Sequence, residues 1–305
     1  MPSLAAIRAG STPYLPLVQP TIVCLGGTSG IGAAIARRFA QLAQAPTVLL
    51  VGRNAASAQA VLGDLKLANP KGTYDFLPCD LTLLSDIRSL VASLLASSSS
   101  VGKQQIDYLV LSQGVLTMAG RTETKEGHDR KLMLHYYSRV AVLRGLESKL
   151  APGARVMFVL DGTSGSNPKR LYWDDLDLRS NYSTRSAANH AITMTDLALQ
   201  HVGAQHPQMA FFHALPGIVD TPIFNGLPWP VRTAAWPIGK LLSTSPSDCA
   251  EHLLHALLSA DVGRYKVGHA YFCDGKGEPV KGKTEAEREE VAKVWTHTVG
   301  LLGEV

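Results

Sequence analysis

The segment LGGTSGIG, at positions 25–32, has a glycine spacing that suits the binding of an anion. It joins an apolar, β-branched run to a helical pattern, so backbone N–H groups and the helix N-terminus can face a phosphate with few side chains in the way. A tight turn without a ligand is the alternative interpretation. In this strand–turn–helix context the spacing predicts dinucleotide binding by Gly26, Thr28, Ser29, Gly30, Ile31 and Gly32.

Arg53 stands at the end of the second apolar run, in LLVGRN. An acidic residue at this place would accept hydrogen bonds from the 2′-hydroxyl of an adenosine ribose. An arginine instead pairs with a 2′-phosphate through two hydrogen bonds. Arg53 therefore favours NADP(H) over NAD(H) as the cofactor, and a solvated surface arginine is the alternative.

Tyr182 opens a helical pattern in NYSTRSAANH, where an active-site tyrosine would need a nearby cation. An ordinary phenol has a pKa near ~10 and is a poor base at neutral pH without one. One helical turn later the sequence has Ser186, which keeps a hydroxyl group but supplies no charge. Arg185 is adjacent, yet it points about 100° away on a helix. The sequence leaves open whether this site has been rebuilt or abandoned.

Apolar strands alternate with helical patterns along most of the chain. Compact apolar runs at 21–27, 47–53, 73–81 and 106–114 predict four buried strands, and two more are expected in ARVMFVLDG and MAFFHALPG. Such an alternation indicates a parallel sheet covered by helices on both faces. We therefore expect an α/β fold, a single doubly wound Rossmann-type domain over residues 1–305, with an excursion at about 221–244.

Composition excludes several classes of function. The 29 basic and 25 acidic residues are spread along the 305-residue chain, without a cationic run that would follow a nucleic-acid backbone. No apolar run is long enough to span a bilayer, and the first residues do not have the pattern of a secretory signal. The cysteines form no CxxC pair, so buried thiols in a reducing, cytoplasmic protein are expected rather than zinc ligands or disulfides, at Cys24, Cys79, Cys249 and Cys273.

Together these residues resemble the short-chain dehydrogenase/reductase family over about residues 21–222. The NNAG motif of that family reads LSQG here and keeps only Gly114. The resemblance implies that Asp80 and Leu81, in CDL after the third strand, meet the adenine. It also implies that an intact PGxVxT motif faces the nicotinamide end of the cofactor, through Pro216, Gly217, Val219 and Thr221.

Other features look like the retinol-dehydrogenase-like branch of this family. They are WDDLDL before the tyrosine, Ala188 and Asn189 after it, and GHAYF followed by a helix that contains Trp295. Homodimers and tetramers are common in the family, so the resemblance makes a homo-oligomer an expectation.

The catalytic residues of the family are the part of the resemblance that this sequence does not preserve. The resemblance implies an Asn, a Ser, a Tyr and a Lys in the active site. Carried over by position, the asparagine becomes His135, the serine Asp161, the tyrosine Tyr182 and the lysine Ser186. Three of these four positions are therefore altered.

Three functions remain open at this stage. Hydride transfer would persist if Tyr182 acts as the acid with help from His135 or Lys169. A non-redox isomerase, cyclase or dehydratase would instead use Tyr182, His135 and Asp161 for acid/base work. A catalytically silent cofactor-binding protein is the third, with His135 a satisfied buried histidine, Asp161 a loop cap and Tyr182 a packing residue. Thr163 or Ser164 would replace the missing serine hydroxyl if the loop register shifts.

The excursion after the PGxVxT motif is rich in apolar residues and proline. In the family this segment covers the substrate. A lid is expected from Ile223, Phe224, Leu227, Trp229 and Trp236. It favours a bulky substrate of lipid, terpenoid or polyketide type, as in secondary metabolism, over a sugar. A helix that only caps the core is the alternative, and membrane contact is disfavoured because Arg232 and Lys240 are the only cations of the segment.

Overall fold

The computed structural model describes residues 3–9, 17–96, 104–165, 167–233, 243–259, 270–281 and 286–304. Within these residues seven parallel strands form one sheet, in the order β3-β2-β1-β4-β5-β6-β7. The strands are β1 (Thr21–Leu25), β2 (Thr47–Gly52), β3 (Thr73–Pro78), β4 (Ile106–Leu111), β5 (Leu150–Val159), β6 (Ala210–Ala214) and β7 (Ala270–Cys273). The strand order reverses between β1 and β4, so the sheet is doubly wound and the predicted fold class is confirmed.

Helices connect the strands and cover both faces of the sheet. They are α1 (Leu4–Arg8), α2 (Gly30–Leu42), α3 (Ala55–Ala68), α4 (Leu84–Leu95), α6 (Thr184–Gln205), α7 (Pro246–Leu258) and α8 (Arg288–Leu302). Between α4 and α6 lies α5, a continuous helix made of Arg130–Leu132, a π-helical turn Met133–Tyr137 and Ser138–Gly145. A π-turn inserts one residue into a helix and is often found at a functional site.

Strand β1 shows how the sequence builds two cores. All five of its residues are buried, and successive side chains alternate between the faces of the sheet. Val23 and Leu25 belong to one hydrophobic cluster, whereas Ile22 and Cys24 belong to the other. Because both faces are covered, each β-branched or aliphatic residue of the strand is buried, which explains its uninterrupted apolar pattern.

Several boundaries differ from the expected ones, and two of these differences have a clear local reason. Helix α6 begins at Thr184 and not at Tyr182, because Ser183 caps it in a reciprocal arrangement with Ser186. Strand β3 ends at Pro78, three residues early, because the chain turns at Asp80, whose carboxylate accepts the Thr82 backbone N–H. Strand β7 extends the sheet beyond the six strands that the sequence indicated.

The four cysteines are buried thiols. Burial raises the pKa of the Cys24 thiol to about 12, so it is protonated at neutral pH and packs as a small apolar side chain. Of the helices within the described ranges, none combines the length and the apolar character that crossing a bilayer requires.

Candidate active site

A cleft of about 360 Å³ opens at the carboxyl ends of the central strands. Parallel α/β sheets place ligands at this edge, where the strand order reverses. Ten of the fourteen residues that the sequence assigned to the cofactor line the cleft, namely Gly26, Thr28, Ser29, Gly30, Ile31, Gly32, Arg53, Leu81, Gly114 and Thr221. The geometry therefore brings the glycine turn, Arg53 and the PGxVxT threonine to a common cavity.

The glycine turn packs too closely on its neighbours to accept side chains. Gly26 has φ +75°, and a Cβ atom there would lie 2.8 Å from the backbone nitrogen of Gln113. A Cβ atom on Gly32 would lie 2.4 Å from the Ser112 hydroxyl oxygen. The turn therefore packs directly on the loop after β4. This contact fixes the position of the start of helix α2.

The N-terminus of α2 has the properties of a phosphate site. Ser29 is the N-cap residue, and its side chain makes no capping hydrogen bond to the first turn. The N–H groups of that turn therefore stay available to an anion, which the helix dipole also attracts. Arg53 is exposed at the rim of the same cleft. These residues fit the phosphates of a dinucleotide.

Four predicted cofactor residues lie outside the lining of the cleft. The Asp80 carboxylate accepts hydrogen bonds from the backbone N–H and the hydroxyl of Thr82, at 3.0 and 2.8 Å, so it holds the turn after β3. Pro216, Gly217 and Val219 follow β6, and Val219 pairs with Thr244 in an isolated parallel bridge. The adenine and nicotinamide contacts assigned to them stay predictions.

Tyr182 has a cationic neighbour that the sequence did not reveal. The ammonium group of Lys131 donates a hydrogen bond to the phenol oxygen of Tyr182 at 2.9 Å, and another to the carbonyl of Ala119. Lys131 lies at the start of α5 and is only 7% exposed. Its Nζ also stands 5.3 Å from the centre of the tyrosine ring. A lysine of α5 therefore contacts the tyrosine that precedes α6.

The phenol of Tyr182 is protonated at neutral pH. Burial, together with the charge and a hydrogen bond of Asp129, raises its pKa to about 12, against a smaller opposing effect of Arg121. A tyrosine in this state is a proton donor and not a base. Tyr182 is therefore suited to protonate an oxygen atom that gains negative charge during a reaction.

Ser186, at the lysine position of the family, is part of the helix cap. Its hydroxyl accepts the backbone N–H of Ser183 at 2.7 Å and donates to the carbonyl of Asn181 at 2.9 Å. The Ser183 hydroxyl in turn accepts the backbone N–H of Ser186 at 2.9 Å. These bonds occupy the hydroxyl of Ser186, so the geometry gives it a role in starting α6 beside Tyr182.

Asp161, at the serine position of the family, caps its own loop. One carboxylate oxygen accepts hydrogen bonds from the Thr163 N–H and hydroxyl, at 3.0 and 2.6 Å, and from the Ser164 N–H at 3.2 Å. Burial would raise the pKa of Asp161, but these hydrogen bonds from Thr163 and Ser164 lower it. The carboxylate is therefore ionised. Thr163 and Ser164, which the sequence offered as replacements for the catalytic serine, donate hydrogen bonds to this carboxylate.

His135, at the asparagine position of the family, lies in the π-turn of α5. Its Nε2 atom accepts the backbone N–H of Val115 at 3.0 Å, so that nitrogen carries no proton. Burial, followed by the positive charges of Arg139 and Lys131, lowers the pKa of His135 to about 3. The ring is neutral at physiological pH. Gly114 packs closely against the ring, and a Cβ atom there would lie 3.1 Å from Nε2.

The neutral state of His135 predicts a pH-dependent stability. An unfolded histidine binds a proton near pH 6.5, whereas the folded one does so only near pH 3, so folding loses stability as the pH falls through this window. When the pH falls from 7 to 5, we expect the titration of His135 to lower the free energy of unfolding by about 1–2 kcal/mol. His135→Asn should show a correspondingly shallower loss in urea titrations at the two pH values. Parallel pH curves for parent and variant would contradict this assignment.

Arg139 is a buried arginine beneath the site, on α5. It is 1% exposed, and its guanidinium donates to three backbone carbonyls, those of Leu134, Val159 and Gln113. Desolvation lowers its pKa to about 9, so it keeps its charge at neutral pH. The side chain ties the π-turn to the ends of β4 and β5, the two strands whose loops carry the site.

Apolar side chains are exposed around the mouth of the cleft. Leu116 and Ile223 line the cavity and are still 36% and 40% exposed, while Met118 and Trp229 are 58% and 69% exposed. The short 3-10 turn Pro222–Gly226 packs on the loop after β4, since a Cβ atom on Gly226 would lie 2.2 Å from the Leu116 carbonyl oxygen. Two members of the excursion, Trp236 and Lys240, lie outside the described residues.

Comparison with known proteins agrees with this architecture. A family model described as short chain dehydrogenase matches residues 20–138. An oxidoreductase of Emericella nidulans is 33% identical over 334 residues, covering 99% of this chain and 98% of its own. The polyprenol dehydrogenase of Mus musculus is 26% identical over 302 residues, covering 95% of this chain and 86% of its own. A solved short-chain dehydrogenase/reductase from Serratia marcescens shares the fold, with a TM-score of 0.62 at 19% identity over 86% of this chain and 99% of that chain.

The family match includes most of the residues that form the cleft. The region of the family model begins just before β1 and ends in α5, so it contains the glycine turn, Arg53 and the loop after β4. The similarity to the Emericella nidulans protein extends this match over nearly the whole chain. The chain belongs to the short-chain dehydrogenase/reductase family of nicotinamide-dependent oxidoreductases.

Proposed function

We propose that the protein is an NADP(H)-dependent reductase that acts on a carbonyl group of a bulky, apolar small molecule, with the corresponding alcohol as product. The observation that carries this proposal is the make-up of the cleft. Arg53 and the N-terminus of α2 line the same cavity as the exposed apolar residues Leu116 and Ile223. One cavity thus offers a polyanion site next to an apolar surface.

The phosphate-binding residues of the cleft support NADP(H). The additional 2′-phosphate of this cofactor suits a planar guanidinium, which binds it through paired, charge-assisted hydrogen bonds. Arg53 follows Gly52, the last residue of β2, and is exposed at the rim, so it can reach a ligand without losing a partner in the protein core.

The apolar residues support a large substrate. Met118 and Trp229, which are near Leu116 and Ile223 in the sequence, are also exposed. Contiguous exposed apolar area at the rim of a pocket is typical of sites for apolar ligands. The polyprenol dehydrogenases among the relatives act, by their name, on long apolar alcohols.

The chemistry assigned to the protein's own residues is proton donation. The reduced nicotinamide supplies a hydride when it is bound. We assign to Tyr182 the role of giving its phenolic proton to the oxygen of the carbonyl as that oxygen becomes negative. The non-redox alternative is weaker, because His135 is a neutral acceptor and Asp161 is held as a loop cap.

Arg53→Ala is the first test of the cofactor assignment. We expect the variant to bind NADPH more weakly by about 1–3 kcal/mol, because a charged hydrogen-bonding partner of the 2′-phosphate is lost, while NADH affinity hardly changes. Isothermal titration calorimetry with both cofactors measures the difference. The matched control is Lys71→Ala. Lys71 is an exposed cation just before β3, so it lies at the amino ends of the strands, whereas Arg53 lies at their carboxyl ends.

Two outcomes would count against the proposal. Equal affinity of the parent protein for NADPH and NADH would contradict the role of Arg53. If NADPH binds tightly but is oxidised no faster with long apolar ketones and aldehydes than with small ones, the substrate class is wrong. A set of carbonyl compounds of increasing chain length, assayed by NADPH absorbance, separates these cases.

A further inference from the structure

We propose that Lys131 takes the place of the lysine that α6 lacks: its ammonium group positions the phenol of Tyr182 and stabilises the phenolate that forms when this tyrosine gives up its proton. The inference rests on the proposed function for its catalytic consequence. Its electrostatic part concerns the protein alone.

The geometry provides a short and well-held ion–phenol contact. The Lys131 ammonium donates to the Tyr182 oxygen at 2.9 Å and is held in place by a second bond, to the Ala119 carbonyl. The lysine is 7% exposed, so water screens the contact poorly. Charge-assisted hydrogen bonds of this kind strengthen when the acceptor becomes an anion.

Lys131 and Tyr182 meet because of the topology around α5. Lys131 precedes His135 by four residues and therefore lies about one helical turn from it. The π-turn that contains His135 borders the cleft through Leu134. Tyr182 lies immediately before the cap of α6, in a loop fixed by Ser183. The cation comes from α5 and not from position 186 of α6, which explains how that position can be a serine.

The charges facing Tyr182 oppose one another. Asp129 caps α5 through the backbone N–H groups of Lys131 and Leu132, and its carboxylate favours the protonated phenol. Arg121, whose ion-pair partner is Glu123, lowers the pKa of Tyr182. The ammonium group that Lys131 places on the phenol oxygen also favours the phenolate. Asp129 and Lys131 thus act on Tyr182 in opposite directions, and each can be changed separately.

The proton step is balanced by these groups. The carbonyl carbon gains a hydride from NADPH, which is oxidised to NADP⁺, and the carbonyl oxygen becomes an alkoxide. The O–H bond of Tyr182 breaks, and a new O–H bond forms on the product alcohol. The phenolate that remains lies against the Lys131 ammonium until a proton from solvent restores the phenol. Lys131 keeps its own proton throughout and acts only through Tyr182.

The test places 3,5-difluorotyrosine at position 182 alone. Its phenol is much more acidic than that of tyrosine, so the folded protein can be titrated by ¹⁹F NMR without cofactor or substrate. Lys131→Gln removes the charge and keeps a donor for the Ala119 carbonyl. We expect it to raise the pKa of the probe by about 1–3 units, as for the loss of an adjacent opposite charge. Asp129→Asn, which retains a good N-cap, should lower that pKa.

Two further variants exclude a merely structural effect. Lys131→Arg keeps the charge and should leave the titration close to that of the parent. Lys125→Gln removes an exposed lysine from the same loop region and should change nothing. The proposal is overturned if Lys131→Gln leaves the titration unmoved, or if Lys125→Gln moves it equally.

Turnover then separates this inference from the proposed function. With NADPH and a bulky ketone, Lys131→Gln should reduce kcat about 10-fold to 100-fold with little change in KM, and Lys131→Arg should restore most of it. A parent protein that reduces no carbonyl compound, but shows the ¹⁹F shifts, overturns the proposed function and supports the Lys131–Tyr182 pairing. Full kcat in Lys131→Gln overturns the catalytic role of Lys131.

Discussion

Replacing Arg139 by methionine is expected to lower the free energy of unfolding by about 3–5 kcal/mol. Arg139 is almost completely buried, and its three nitrogens donate to the carbonyls of Leu134, Val159 and Gln113. Methionine fills much of the space but donates nothing, so three buried acceptors lose their partners. Losing the charge also removes the cost of its desolvation, which is why the expected effect is smaller than three separate penalties.

Urea denaturation of parent and variant measures this effect at neutral pH. The matched control is Arg144→Met, on the same helix, because Arg144 is more exposed and donates to the Gly303 carbonyl near the C-terminus. We expect the control to change stability by less than about 1 kcal/mol. Arg139→Lys should fall between the two, since a single ammonium cannot reach all three carbonyls. A loss at Arg139→Met no larger than at Arg144→Met would show that the carbonyls find other partners.

The parts of the fold that depend on local pattern could be predicted from the sequence. Uninterrupted apolar runs identified the central strands, because a strand covered on both faces has no polar side to display. The glycine turn was recognised for a similar reason, since close contact between Gly26 and Gln113 allows no side chain. Both features were recognised from residues near one another in the chain, the apolar run of a strand and the spacing of Gly26, Gly30 and Gly32.

The features that the sequence did not reveal depend on contacts between distant residues. Lys131 and Tyr182 are separated by 51 positions and meet only after α5 and α6 have packed. Arg139 did carry a local signal, because it stands three residues after buried Tyr136 and next to buried Val140, on the apolar side of α5. A charged residue on an apolar helix face indicates a buried polar network.

The altered catalytic positions show that a changed motif does not identify its replacement. The sequence left open a cap or a chemical role for Asp161, and its hydrogen bonds to Thr163 and Ser164 are those of a cap. Ser186 was a candidate for the active site, yet its hydroxyl closes the first turn of α6. Local hydrogen bonds of Ser and Asp side chains to nearby backbone are common and outnumber catalytic uses of these residues.

Tyr182→Phe is expected to reduce kcat/KM for carbonyl reduction about 10²-fold to 10⁴-fold, the usual contribution of a general acid. The variant lacks only the phenol oxygen, and the Lys131 ammonium keeps its bond to the Ala119 carbonyl, so the fold around the site should persist. NADPH binding should be unchanged, because Tyr182 is not among the residues that line the cofactor cleft. A large kinetic loss with normal cofactor affinity would therefore locate the defect in proton transfer.

The control and the pH profile make this result specific. Tyr172→Phe removes the hydroxyl of an exposed tyrosine in the loop before α6 and should retain parental activity. In the parent, carbonyl reduction should stay constant from neutral pH up to alkaline pH and decline only as the pH approaches 12, where Tyr182 loses the proton it donates. The reverse reaction, which needs the phenolate, should rise over the same range. Parental kcat/KM in Tyr182→Phe would mean that this tyrosine only packs against the core, and that another group protonates the substrate.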